Sequence, residues 1–167
     1  MQTPIPRLIL AGTNSGCGKT TMVCALLQAL VNRNLKTGAF KCGPDYIDPM
    51  FHSRIIGAKS ANLDLHFFTP NTLNYLLAKN GEDRDISVIE GVMGYYDGAG
   101  LTSTKGSTYE VARDGQSGGA GGGSQGRITV SACHHSGLSG LLPEQPHQGR
   151  DSQPMYRHDL RGAGGGD

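Results

Sequence analysis

The sequence predicts an α/β fold with a doubly wound, mostly parallel sheet and a phosphate-binding loop. Short apolar runs at 8–11, 38–41 and 86–90 are typical of strands that are buried on both faces. The segments between them carry apolar residues at three- and four-residue spacing, which indicates helices packed on that sheet. A glycine-rich stretch, GTNSGCGKTT, joins the first strand to the first helix.

Local signals place the helices between these strands. The first helix is predicted to begin near Lys19 and to end at Asn32 and Asn34. Its sheet-facing stripe consists of Val23, Leu26, Leu27, Leu30 and Val31. The second begins at Thr69-Pro70, an N-cap followed by a first-turn proline, and ends at Gly81. A third begins at Ser107-Thr108-Tyr109-Glu110 and is cut short by Asp114-Gly115, so the predicted order is β-α-β-α-β-α.

The composition changes after Arg113 and divides the chain into 1–113 and 114–167. The first part holds 12 of the 26 glycines and 28 Ile, Leu, Val or Phe residues; the second holds 14 and 6. So few large apolar side chains cannot offset an ordering cost of about 1–2 kcal/mol per residue. We expect residues 114–167 to form a disordered glycine-rich tail, which is either natural or the product of out-of-frame translation.

Charge and hydropathy exclude several classes of function. A formal net charge of +1 gives no basic footprint for nucleic acid, and no apolar run is long enough for a membrane span. The first ten residues lack the layout of a secretory signal, so we expect a cytoplasmic protein. The four cysteines form no Cys-x-x-Cys pair, which favours reduced thiols.

The stretch between the first strand and the first helix has the context of a phosphate-binding loop. Its glycines let backbone N–H groups turn towards phosphate oxygens, Lys19 reaches the outer phosphates, and Thr20 is placed to ligate Mg²⁺. Gly12 lies six residues before Gly18, one more than is common, so the loop is a variant. The alternative is an ordinary glycine-rich turn. The predicted ATP- or GTP-binding residues are Gly12, Thr13, Asn14, Ser15, Gly16, Cys17, Gly18, Lys19, Thr20 and Thr21.

Three acidic residues follow strands that end at the same edge. Glu90 ends the apolar strand at 86–90, while Asp45 and Asp48 follow the strand at 38–41. Clustered carboxylates are costly unless a cation balances them, which predicts Mg²⁺ held by Thr20, Asp45 and Glu90. An exposed strand-end acid and ordinary turn chemistry are the alternatives for Glu90 and for the two aspartates.

Five segments together resemble the cobyrinic acid a,c-diamide synthase family over about residues 5–113: GTNSGCGKTT, KCGPDYIDPMFH, NLDLHFF, VIEGVMGYYDG and STYEVAR. The resemblance implies a P-loop ATP-binding amidoligase domain followed by a glutamine amidotransferase domain, with a homodimer in the intact family. It implies ATP-dependent amidation of the a and c acetate carboxylates of a corrinoid through an acyl phosphate, in cobalamin biosynthesis. Glutamine or ammonia supplies the nitrogen. Cobyrinic acid, hydrogenobyrinic acid and nickel-sirohydrochlorin all remain open as the macrocycle.

The resemblance also implies roles for individual residues. Asp45, Asp48 and Glu90 organise Mg²⁺ and the acyl-phosphate step as catalytic residues, and Tyr46 and Asp97 face the substrate. Asp97 is equally well explained as part of a polar turn. His52 and His66 are either substrate contacts or hydrogen-bonded structural histidines.

The segment after 113 does not resemble the continuation of that family. No amidotransferase domain is recognisable, and Cys133 beside His134 is not its nucleophile, because no strand-turn-helix elbow is predicted there. We therefore expect this chain alone to behave as a poorly active fragment.

The competing interpretation is a P-loop ATPase switch of the partitioning or maturation type. Asn14 stands where partitioning and cell-division-site ATPases carry a second lysine, which counts against that class. A metal-insertion GTPase is disfavoured by the missing Cys/His cluster.

Overall fold

The computed structural model describes residues 5–100, 102–116 and 128–133, which form alternating strands and helices. The strands are β1 (Arg7–Gly12), β2 (Thr37–Cys42), β3 (Lys59–Leu63), β4 (Ile86–Glu90) and β5 (Ile128–Cys133). The helices are α1 (Lys19–Asn32), α2 (Ile47–Phe51), a π-helix (His52–Ile56), α3 (Pro70–Gly81) and α4 (Thr108–Gln116). Within these residues we find no helix with the length and apolar content that crossing a bilayer requires.

The strands form one parallel sheet in the order β3-β2-β4-β1-β5. This confirms the predicted α/β fold. In the register of the sheet, Leu10 of β1 and Lys41 of β2 lie opposite Glu90 of β4, one on each side. Because parallel strands end at a common edge, the loop after β1, the end of β2 and Glu90 are neighbours.

The sheet is covered on both faces, because successive residues of its central strands enter different apolar clusters. Both clusters consist of buried side chains that join strands to helices. One includes Ile9, Phe40, Ile89, Leu73, Leu77 and Val111, and the other includes Leu10, Ala39, Val88, Val23 and Leu27. The predicted α1 stripe therefore packs on the sheet as expected, and α3 and α4 cover the opposite face.

The predicted ends of α3 are confirmed. The Thr69 hydroxyl accepts a hydrogen bond from the Thr72 amide at 3.3 Å, and α3 ends at Gly81. The prediction that α4 stops at Asp114-Gly115 is wrong, because the helix continues to Gln116. The buried Arg7 guanidinium donates to the Gly115 carbonyl at 2.7 Å, and this long-range bond stabilises the last turn.

Two strands were not predicted. β3 is a short polar edge strand in which only Leu63 is fully buried, so it lacks the apolar run that identifies central strands. β5 lies inside 114–167, so the prediction of disorder there is wrong for 128–133. All six residues of β5 pair in parallel register with β1 from Arg7 to Gly12, a contact that composition cannot reveal. The strand ends at Cys133, so this cysteine does follow a strand, while the turn and helix of an elbow would fall outside the described residues. The rest of 117–167, with His134, lies outside the described residues.

Candidate functional site

The loop from Gly12 to Thr21, here called the phosphate loop, turns through two left-handed glycines. Gly16 and Gly18 have φ angles of 75° and 89°, a backbone region that residues with a side chain rarely adopt. Gly18 is the N-cap of α1. A β-carbon on Gly12 would overlap the Cys17 sulfur. This close approach explains why glycine is needed at Gly12 despite the unusual spacing.

The phosphate loop forms one wall of a cleft of about 430 Å³ at the carboxyl edge of the sheet. The other walls come from the ends of β2 and β4 and the segments that follow them. The cleft is lined by Ser15, Gly16, Gly18, Lys19, Thr20, Thr21, Lys41, Asp45, Asp48, Glu90, Gly91, Val92 and Met93. It therefore contains most of the predicted nucleotide-binding residues and all three predicted catalytic acids.

A hydrogen bond joins the start of α1 to the end of β4. The Thr20 hydroxyl donates to Glu90 Oε1 at 2.6 Å and lies 3.5 Å from Asp48 Oδ2. Asp45 is engaged differently, because its Oδ1 accepts from the amides of Ile47 and Asp48 at 2.9 and 3.3 Å. Of the two aspartates, Asp48 thus lies against Thr20, and Asp45 orders the start of α2.

Sequence reasoning missed the cation at the centre of these acids, which is Lys41. Its ammonium lies 2.6 Å from Asp48 Oδ2, 2.7 Å from Glu90 Oε1 and 3.7 Å from Asp45 Oδ2. The Lys41 side chain is only 8% exposed and Glu90 is fully buried. The lysine stands in the quoted segment KCGPDYIDPMFH, but its partners become visible only when the strand order places β2 beside β4.

The shared charges shift the pKa values of this cluster. Burial disfavours the charged form of Lys41, but hydrogen bonds and charge interactions with Asp48 and Glu90 outweigh it, so the pKa of Lys41 is raised. Burial would raise the pKa of Asp48, but the hydrogen bond and charge of Lys41 prevail and lower it. Both partners are thus held in their charged forms at neutral pH.

Lys19 lies apart from the acids. Its ammonium donates to the Asn14 carbonyl at 2.8 Å and lies 3.6 Å from the Cys17 sulfur. It therefore reaches back over the phosphate loop, the position from which a P-loop lysine meets the outer phosphates.

His52 is fully buried behind Glu90 at the start of the π-helix. Its Nε2 lies 3.7 Å from Glu90 Oε2, and neither ring nitrogen nor that oxygen has a hydrogen-bond partner among the described residues. Burial lowers the pKa of His52, which favours the neutral ring. Its burial excludes contact with a substrate in the cleft as it stands.

The oxygen donors around Thr20 fit Mg²⁺ only in part. In the part of the chain that the structure describes, no three His, Cys, Asp or Glu side chains are arranged to hold a metal ion by themselves. Mg²⁺ commonly needs only one or two protein carboxylates when phosphates and water complete its shell. The Thr20 hydroxyl with Glu90 and Asp48 supplies such a partial set.

A second hollow of about 370 Å³ opens beside the cleft, lined by residues 41–47 and Val92. Tyr46 lines it and is 79% exposed. Asp97 lines neither hollow. Its Oδ2 accepts from the Gly94 amide at 2.8 Å, which matches the polar-turn interpretation. His66 lies edge-on to Phe67, outside both hollows.

Comparison with known proteins agrees with the nucleotide-binding architecture. A family model described as the CobQ/CobB/MinD/ParA nucleotide binding domain matches residues 8–136, which extends past the predicted boundary at 113. Proteins named cobyrinate a,c-diamide synthase from Thermoplasma acidophilum and Thermoplasma volcanium are 50% and 53% identical over 109 residues, which is 65% of this chain and 24% of theirs. One of the same name from Salmonella typhimurium is 49% identical over 105 residues, 63% of this chain and 23% of its own. The chain thus spans about a quarter of the length of these relatives.

Proposed function

Because the chain belongs to the CobQ/CobB/MinD/ParA nucleotide-binding domain family, we propose that it binds ATP with Mg²⁺ in the cleft and activates a corrinoid carboxylate for amide formation. The observation that carries this proposal is the 2.6 Å hydrogen bond from Thr20 to Glu90. It joins the phosphate loop to the acidic cluster, so that a triphosphate on the loop extends towards the acids.

The phosphate loop supplies the groups that hold the nucleotide. Backbone N–H groups at the start of α1 carry the partial positive charge of a helix N-terminus. The Lys19 ammonium, already held over the loop by Asn14, neutralises the outer phosphates once they arrive. Left-handed Gly16 and Gly18 give the backbone the turn that this cradle requires.

Thr20, Glu90 and Asp48 are the residues proposed to hold Mg²⁺. Mg²⁺ held there would supply positive charge that balances the negative charge developing during phosphoryl transfer. The structure favours Asp48 over Asp45 for this role, because only Asp48 lies against the Thr20 hydroxyl. Asp45, which orders the turn into α2, is retained in the proposal as a positioning residue near the cleft.

Ammonia cannot displace an oxygen from a free carboxylate, because oxide is a poor leaving group. The carboxylate is therefore proposed to be phosphorylated first. A carboxylate oxygen of the substrate attacks the γ-phosphorus of ATP and ADP leaves, which gives an acyl phosphate. Ammonia, free or released from glutamine, then attacks the acyl carbon, and inorganic phosphate leaves. The names of the relatives point to cobyrinate as the substrate. The hollow beside Tyr46 and Val92 adjoins the cleft and is the proposed substrate side.

The rest of the proposal depends on the sequence and its resemblance alone. It includes a place in cobalamin biosynthesis, a cytoplasmic location and a homodimer of the intact protein. The whole reaction, with glutamine hydrolysis, is proposed for a protein of the relatives' full length. For the chain described here, the proposal is nucleotide binding and carboxylate activation in the cleft.

Oxygen-18 tracing tests the amidation chemistry. Because this chain alone is expected to be poorly active, it is used in excess over the corrinoid, so that slow transfer still gives product. It is incubated with ATP, Mg²⁺, ammonia and cobyrinic acid labelled in its carboxylates, and the phosphate and corrinoid products are weighed. Each amide formed should place one labelled oxygen in the phosphate. The Lys19→Met variant should abolish transfer, whereas Lys79→Met, a change in the last turn of α3, should not. Unlabelled phosphate without amide would indicate the switch-type ATPase instead.

A further inference from the structure

Lys41 occupies the cluster in which the metal is proposed to bind. Its ammonium contacts Asp48 Oδ2 and Glu90 Oε1, and the Thr20 hydroxyl approaches the same two oxygens. A protein cation and a divalent cation would therefore compete for one pair of carboxylate oxygens.

When no ligand is bound in the cleft, the Lys41 ammonium is needed to balance the charge of the acidic cluster. Glu90 is fully buried, and an isolated buried carboxylate is strongly unfavourable. Among the described residues, the other lysine of the cleft is Lys19, whose ammonium donates to the Asn14 carbonyl in the phosphate loop. Lys41 is thus the group that lets three acids gather at one edge before any ligand arrives.

The same contacts oppose a lone divalent cation. Mg²⁺ binds oxygens at about 2.0–2.1 Å, and an ammonium 2.6–2.7 Å from those oxygens must move before the ion can approach. Moving it costs two charge-assisted hydrogen bonds and places two cations together in a partly buried site. A nucleotide changes this balance, because its phosphates offer the displaced ammonium new anionic partners in the same cleft.

We propose that Lys41 is a resident counter-cation that holds the acidic cluster together. It excludes a divalent metal ion that arrives without a nucleotide, so metal binding is conditional on the nucleotide. This inference rests on the proposed function for the identity of the metal-binding oxygens. It assigns Lys41 a positioning role in the order of binding, which keeps the metal from occupying the cleft without its phosphate partner.

The test measures Mn²⁺ binding to the full chain without nucleotide, by electron paramagnetic resonance of the free ion. Wild type should bind Mn²⁺ weakly at the cluster. Lys41→Met, which removes the charge and retains the length of the side chain, should bind at least about tenfold more tightly, a change of about 1.4 kcal/mol. Adding Asp48→Asn to that variant should reverse the gain, which locates the ion. The matched control is Lys79→Met, which should bind like wild type.

Equal Mn²⁺ affinity of folded Lys41→Met and wild type would overturn the proposal. Lys41→Gln provides a second neutral variant, because its side-chain amide retains N–H donors for the carboxylates of Asp48 and Glu90. Should neither variant fold, wild type decides: tight Mn²⁺ binding that Asp48→Asn abolishes contradicts the proposal, and weak binding agrees with it. Since nucleotide is absent throughout, failure here differs from failure of the proposed function, which appears as loss of ATP binding.

Discussion

Loss of the Lys41 ammonium should destabilise the folded chain far more than loss of a surface lysine. In Lys41→Met, the fully buried Glu90 keeps only the Thr20 hydroxyl on Oε1, and its Oε2 already lacks a partner among the described residues. Removing one partner of a buried ion pair costs about 3–5 kcal/mol. Lys59 provides the comparison, since its 3.8 Å contact with Asp83 joins side chains 39% and 57% exposed. Pairs of that kind contribute roughly 0–1 kcal/mol.

Urea unfolding of wild type, Lys41→Met and Lys59→Met at neutral pH, followed by circular dichroism, measures this difference. Glu90→Gln should cost less than Lys41→Met, because Lys41 keeps its 2.6 Å contact with Asp48. In the double variant the two losses should not add, with a coupling of about 0.5–3 kcal/mol. If the variants are unfolded without denaturant, all measurements are made in trimethylamine oxide. This osmolyte stabilises the folded state and supplies no anion that could pair with the Lys41 ammonium. A Lys41→Met chain no less stable than Lys59→Met would refute the account of the buried pair.

Three further outcomes are expected. Gly18→Ala should weaken ATP binding and cost about 1–2 kcal/mol of stability, because its φ of 89° disfavours a side chain; calorimetry checks both, and unchanged values would contradict the loop geometry. Burial raises the pKa of the Cys42 thiol to about 12, so iodoacetamide should leave it unmodified in the folded chain. Cys17 lies in the phosphate loop, so bound ATP should protect it from the same reagent. Peptide mass spectrometry measures both. Since burial lowers the pKa of His52 in the folded state, the unfolded chain binds more protons below pH 6.5, and stability should fall as the pH drops through that value. In urea unfolding measured over this pH range, the stability of His52→Gln should fall less steeply than that of wild type. An equally steep fall would assign the pH dependence to other groups.

Features that depend on neighbouring residues could be predicted from the sequence. The phosphate loop, the Thr69 cap and the α1 stripe are encoded within one turn or one helix, and the structure contains each of them. The common edge of parallel strands was enough to predict that Asp45, Asp48 and Glu90 share a cleft.

Features that depend on strand order could not be predicted. The sequence predicts Mg²⁺ among the acids, but the presence of Lys41 among them follows only from the register that places β2 directly beside β4. β5 was missed for a related reason, because pairing with β1 stabilises a six-residue strand whatever the composition around it. His52 gives no sequence signal for its place behind Glu90, since the π-helix that positions it has no recognisable periodicity.

The central claim is that a nucleotide binds with its phosphates on the phosphate loop, facing the acidic cluster. Equilibrium titration of the full chain with ATP and Mg²⁺ tests it most directly, with Lys19→Met as the perturbation and Lys79→Met as the matched control. Loss of a hydrogen bond to a charged group costs about 1.5–3 kcal/mol, so the Kd of Lys19→Met should rise at least about tenfold while that of Lys79→Met stays at the wild-type value. Equal ATP affinity in all three proteins, or none in wild type, would contradict the claim.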